Sequence, residues 1–269
     1  MRGFRPLAAM LGLAWLGIVT AAAHTTAEEK ELTEGHPVRL ADAYAVTTGD
    51  GALLGTGAAI VPRRGSSRGE VQLDAQYGII PHTQLSLSTV VSSEPGDTRD
   101  PASGDLTVAA RVGSGPATGL LPLLAGQLAV TLPTGAGSRS VDIELKGYAT
   151  KGLVVGLLPV FVHVNASIEF RATELATDER LARYHLAAGA SFTLPRLPAM
   201  TVVGDVFVDQ AVKRGRPETV GLEAGVRYRV APRVAIHGAI GRDLAGPESR
   251  AAFYARVGLS VGFVGPGHP

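Results

Sequence analysis

The feature that most constrains this chain is an alternation of apolar and polar side chains held over unusually long runs. From Glu70 to Ile79, Val71, Leu73, Ala75, Tyr77 and Ile79 are apolar, while Glu70, Gln72, Asp74 and Gln76 are polar. Successive side chains of a β-strand point to opposite faces, so this run has one greasy face and one wet face. The pattern returns at 105–112, 141–146, 160–171, 219–229 and 251–263. Weaker versions cover 85–91, 127–132, 186–192, 201–210 and 234–241, and a glycine-rich run covers 52–61. Together these predict about twelve strands. Soluble strands usually run about five or six residues, whereas crossing a bilayer at a tilt takes roughly nine to eleven. The length of the longer runs therefore favours a membrane.

A strand in hydrocarbon cannot leave backbone N–H and C=O groups unpaired, because each costs several kcal/mol. An open sheet would carry two bare edges through lipid, and closure removes both. The expectation is all-β: a closed antiparallel up-and-down transmembrane β-barrel over residues 52–263, with the lipid bilayer and the outer-membrane assembly machinery as partners. The connections support it. Those at 80–83 and 231–232 are tight, whereas 92–103, 172–178, 211–217 and 242–249 are longer and rich in charge, Gly or Pro. Outer-membrane barrels place short turns on the periplasmic side and long loops outside. Two further connections, 113–122 and 151–159, read as long for periplasmic turns.

The ends fit export. Arg2 and Arg5 precede an apolar stretch containing Leu11, Leu13, Trp15, Leu16 and Ile18, and Ala21, Ala22 and Ala23 follow. That reads as a signal peptide over residues 1–23 cut before His24, against the alternative of an N-terminal anchor. The chain holds 25 Lys and Arg against 24 Asp and Glu, and losing Arg2 and Arg5 leaves one more acid than base. Such a balance gives no argument for nucleic acid. Residues 24–51, with the charged run from Glu28 to Glu31, read as a periplasmic leader or as a plug of the barrel. Residues 264–269 form a tail. There is no cysteine, which removes thiolate metal sites, redox pairs and cysteine nucleophiles.

On the inward phase fall the acids Glu70, Asp74, Asp105, Asp142, Glu144, Glu169, Asp205, Asp209 and Glu223. The bases Arg111, Lys146, Arg171, Arg227, Arg229 and Arg256 share it, as do His163, Asn165, His185 and His237. These are the candidate lumen-lining residues. Their mixed signs suit pairing across neighbouring strands better than a strongly ion-selective pore. The histidines lack ligand spacing, so no metal and no cofactor is expected. His163, Asn165 and Ser167 share one face, but residues i and i+4 of a strand lie about 13 Å apart. A Ser–His site would have to draw on other strands, and no catalytic residue is assigned. Tyr77, Tyr148, Phe170, Phe192, Tyr228 and Phe263 sit toward predicted strand ends, where interfacial girdles belong.

Several short motifs resemble an outer-membrane transporter family named for the meta-pathway of phenol degradation. They are Leu40-Ala41-Asp42-Ala43-Tyr44, Gly104-Asp105-Leu106, Leu132-Pro133-Thr134-Gly135, His163-Val164-Asn165, the run from Val226 to Pro232, and Gly258 to Phe263. The resemblance implies passive uptake or efflux of a small solute, of hydrophobic or aromatic kind, and no enzyme activity. It supplies no binding residue. The tail after Phe263 departs from the aromatic ending usual in such barrels. Three alternatives stand beside this reading: a structural or surface-interaction barrel without an open pore, a barrel-embedded hydrolase, and a soluble ligand-binding barrel.

Overall fold

The computed structural model describes residues 41, 43–62, 67–92, 104–114, 121–135, 140–172, 179–246 and 251–264. Twelve strands follow one another along the chain. They are β1 (Asp50–Pro62), β2 (Arg68–Ile80), β3 (Thr83–Ser92), β4 (Leu106–Gly113), β5 (Leu123–Leu132) and β6 (Asp142–Val155). Then come β7 (Leu158–Arg171), β8 (Ala182–Leu194), β9 (Leu197–Asp209), β10 (Thr219–Ala231), β11 (Val234–Ala245) and β12 (Ala251–Val264). Each pairs antiparallel with its sequence neighbours, and β1 pairs with β12 from Asp50↔Val264 to Pro62↔Ala251, so the sheet closes. One irregularity, between Val61 and Pro62, interrupts that seam at its end, where proline has no N–H to give.

The two faces are chemically inverted relative to a soluble protein. Leu53, Leu73, Val108, Leu128, Leu145, Val164, Val206, Ile240 and Val257 all point outward and are exposed, Leu73 to 52% and Val257 to 68%. Asp205, Asp209, Glu223, His237, Asp243 and Ser260 point inward and are buried. Among the described residues the strands contact only their sheet neighbours, and no second layer covers the apolar faces as it would in a sandwich. An apolar belt around a polar interior is the arrangement of a transmembrane barrel. Among the described residues there is no helix.

Tight two-residue links join β2 to β3, β6 to β7, β8 to β9 and β10 to β11, all at the end where β1 begins and β12 finishes. The odd-numbered strands end, and the even-numbered strands begin, at the opposite end of the barrel, which is where the longer connections of the sequence leave the wall.

One sequence expectation needs correction here. The sixth strand does not stop at Lys146. The ladder to β7 continues to Val155↔Leu158, and residues 151–159 are strand apart from a Gly156-Leu157 turn. Polarity hid this. Past Lys146 the apolar Tyr148 points in, while Gly147 and Lys151 occupy the outward phase, so the greasy–wet alternation lapses although the backbone ladder does not. The connection at 113–122 remains: β4 ends at Gly113 and β5 begins at Leu123.

Residues 43–49 run inside the barrel at the tight-turn end. The Ala43 N–H donates to Thr150 Oγ1 at 2.9 Å, and the Val46 N–H donates to Gln84 Oε1 at 3.0 Å. Arg111 Nη1 donates to the Tyr44 carbonyl at 3.2 Å, and Thr48 bridges to Gly78. Gly78 permits this passage. A Cβ there would collide with the carbonyls of Val46 and Thr47.

Leu73→Arg, on the outer face halfway along β2, should cost about 2–4 kcal/mol of folding free energy in bilayers. Gln72→Arg, one residue away on the inner face, should cost far less. Equilibrium unfolding in lipid vesicles compares the two, and equal costs would remove the lipid belt.

Candidate functional site in the barrel lumen

Inward side chains are fixed by strand parity. Even-numbered residues point in on β1, β2, β3, β6 and β12; odd-numbered ones do so on the others. Glu70 and Asp74 lie inward on β2, and Asp105 sits just before β4, which carries Arg111. Asp142, Glu144 and Lys146 line β6, facing His163, Asn165, Glu169 and Arg171 of β7. His185 of β8 and Asp205 and Asp209 of β9 continue the wall. Glu223, Arg227 and Arg229 of β10, His237 of β11 and Arg256 of β12 complete it.

The structure brings these residues into separate groups rather than one centre. Toward the long-loop end, Arg171 Nε donates to Asp142 Oδ1 at 3.2 Å from the directly opposed position. Glu169 accepts from Arg183, also directly opposed. His185 lies 3.1 Å from Asp209 and 3.6 Å from Glu169. Acids and bases thus alternate from β6 to β9, as cross-strand pairing favours.

A second group spans β10 to β12. Arg256 Nη1 reaches Glu223 Oε2 at 3.4 Å, and the Tyr254 hydroxyl donates to Glu223. These contacts leap over β11, whose inward residues Ala239 and Gly241 are small. The Tyr254 ring lies where a Cβ of Gly241 would be, and the Phe207 ring lies in the same way over Gly221. Both aromatics are flattened against the inner wall instead of filling the lumen.

The third group, toward the tight-turn end, includes residues the sequence had placed elsewhere. Tyr148 belongs to no interfacial girdle; it faces inward and is buried. Its hydroxyl donates to Gln127 Oε1 at 2.9 Å and accepts from Arg111 Nη2 at 3.2 Å. The Arg111 guanidinium carbon sits 4.3 Å from the ring centroid, and the Lys146 nitrogen 5.3 Å. Tyr148 also packs with Ala43, Leu123 and Ala125. Arg183 and Asp243 are further inward charges missed by the sequence reading. Each lies two or three residues beyond a predicted strand end, on the phase already assigned, so extending the alternation would have found them.

His163 does meet a serine, on the neighbouring strand. Its Nε2 lies 2.9 Å from Ser191 Oγ, and its Nδ1 lies 3.1 Å from Thr150 Oγ1. The third member is a hydroxyl that also receives the Ala43 N–H, not a carboxylate able to stabilise an imidazolium. With His163 and Ser191 both buried, this chain of bonds ties β6, β7 and β8 to the lumenal segment. His237 similarly meets Thr56 at 3.1 Å across the β1–β12 side of the barrel. Among the described residues no group of three His, Asp or Glu side chains could hold a metal ion.

Glu223→Gln should destabilise the barrel by about 1–3 kcal/mol, because Arg256 loses its charged acceptor. Adding Arg256→Gln should recover part of that loss. Unfolding midpoints of the single and double variants check it, and strictly additive losses would mean the pair is uncoupled.

The chain matches no protein-family model and no curated protein sequence. Among solved structures it is similar to an outer membrane channel from Pseudomonas putida, with 17% identity over 84% of this chain and 100% of that one, at a TM-score of 0.62. The KdgM porin, solved in complex with disordered oligogalacturonate, matches at 9% identity over 79% and 99% of the two chains, TM-score 0.54. The NanC porin matches at 10% identity over 78% and 98%, TM-score 0.53. At such identities the likeness concerns the fold, and by its fold this chain stands with the twelve-stranded transmembrane β-barrels.

Proposed function

We propose that this protein resides in an outer membrane and passes small molecules through its lumen without an energy source. The observation that carries this is the inversion of the wall: exposed Leu, Val and Ile outside, and buried Asp, Glu, His and Arg inside, around a sheet with no free edge. The channel and porin neighbours support the same reading. So does the resemblance to the meta-pathway transporter family, which adds the expectation of a hydrophobic or aromatic solute. The signal over residues 1–23 belongs to this reading, and it lies outside the described residues, as do residues 24–40 and the tail from 265.

The lumenal segment sets the expected resistance. Residues 43–49 hang on Gln84, Arg111 and Thr150, which belong to the inner wall of β3, β4 and β6, so the segment narrows the tight-turn mouth. Of the leader and the plug, we favour the plug for this part of the chain.

In planar bilayers the protein should show discrete single-channel conductance, and proteoliposomes should swell in small solutes. A variant lacking residues 24–49 should conduct several-fold more. If the intact and truncated barrels both pass neither ions nor any solute, passive transport is wrong and a structural barrel takes its place.

A further inference from the structure

The outer wall carries almost no charge. On the outward phase of the twelve strands stand two charged residues, Lys151 of β6 and Arg242 of β11, and no acid. Parity and register fix both. Arg242 is opposite Leu222 across the β10–β11 ladder, whereas its neighbour Asp243 is opposite Gly221, points in and is buried. A charge on the lipid face is costly near the bilayer midplane and tolerated toward the headgroups.

The two cations have different surroundings. Lys151 stands toward the tight-turn end, where its Nζ donates to the Leu121 carbonyl at 3.2 Å. Arg242 is exposed, and among the described residues its guanidinium has no hydrogen bond, ion pair or ring contact. Its neighbours are exposed apolar side chains: Ile240 and Leu244 along β11, and Leu222 on β10. The rung after Gly241↔Tyr254 sets Phe253 of β12, also exposed, on its other flank. Five N–H donors thus project from a greasy surface with nothing of the protein to accept them.

The depth is marked independently. Arg242 lies near the long-loop end of β11. Phe253 near the start of β12 and Tyr184 near the start of β8 face outward at that same end, and the Tyr184 hydroxyl donates to Glu218 beyond the wall. Outward aromatic rings gather at the membrane–water interface. At that level the strong acceptors are lipid headgroups, and a guanidinium fork matches two phosphate oxygens as an ammonium cannot.

We propose that Arg242 is a docking point on the outer wall for the phosphate of a lipid in the leaflet on the long-loop side. The lipid's acyl carbons lie over Leu222, Ile240 and Phe253. The site depends on the membrane placement of the barrel and not on whether the lumen conducts.

The sequence holds a single tryptophan, Trp15, so a chain produced from His24 onward has none. Phe253→Trp then sets one fluorophore beside Arg242. The barrel is folded into phosphatidylcholine vesicles containing a brominated lipid, which quenches an adjacent indole, and folding is checked by heat-dependent mobility on gels. At equal content, brominated phosphatidic acid, with its open phosphate, should quench several-fold more effectively than brominated phosphatidylcholine or brominated diacylglycerol. Arg242→Gln should remove that preference, and Arg242→Lys should retain only part of it. Lys151→Gln should leave it unchanged. Leu222→Trp repeats the comparison from the opposite flank, so the result does not hang on one probe. The proposal is overturned if the three brominated lipids quench equally, if Arg242→Gln keeps the preference, or if Lys151→Gln abolishes it as well. Excess inorganic phosphate should not erase the preference; if it does, the site takes a free ion and the lipid assignment fails.

Discussion

Closure of the backbone ladder is the constraint from which the rest of this molecule follows. In hydrocarbon an unpaired peptide group has no water to turn to. The pairing of β1 with β12 removes the last two open edges. Once the sheet is a cylinder, side-chain parity leaves each residue only two environments. Lipid takes one phase, and the other is enclosed. A carboxylate on the enclosed phase is then forced near the side chains of adjacent strands, and register decides which ones. Asp142 finds Arg171 and Glu169 finds Arg183 because the pairing places them opposite.

The second theme is how small residues shape a narrow interior. On β11, Ala239 and Gly241 let Arg256 and Tyr254 of β12 reach Glu223 of β10. Gly221 and Gly241 give Phe207 and Tyr254 room to lie along the wall. Placing large rings over glycines keeps packing dense without extending side chains across the lumen. The inner surface is consequently not uniform. A sector from β9 to β12, with Phe207 and Tyr254 laid over glycines, shares the interior with one built around Tyr148, whose ring meets Arg111 and Lys146.

Much of this architecture was legible in the sequence, because the membrane enforces the alternation at nearly every outward position. All twelve predicted runs coincide with strands, from the glycine-rich first to the last. Legibility failed where chemistry and parity part company. β6 beyond Lys146 carries a buried tyrosine inward and a glycine and a lysine outward, so its continuation looked like a loop. Tyr148 was accordingly placed in a girdle. Groupings across strands were hidden for a different reason. The contact of His163 with Ser191, or of Arg256 with Glu223, depends on inter-strand register, which hydrophobic alternation fixes only to within two residues. The position of Ala43–Gly49 inside the barrel left no periodic signal, since it is held by individual bonds to Gln84, Arg111 and Thr150.

Those three anchors also impose an order on assembly. They reside on β3, β4 and β6, far along the chain from the segment they hold; the bond from Ala43 to Thr150 spans 107 residues. The segment comes early in the chain, yet its seat does not exist until the four strands β3 to β6 lie side by side. The segment therefore cannot reach its final place before those strands are in register, and once seated it ties that stretch of wall together from within.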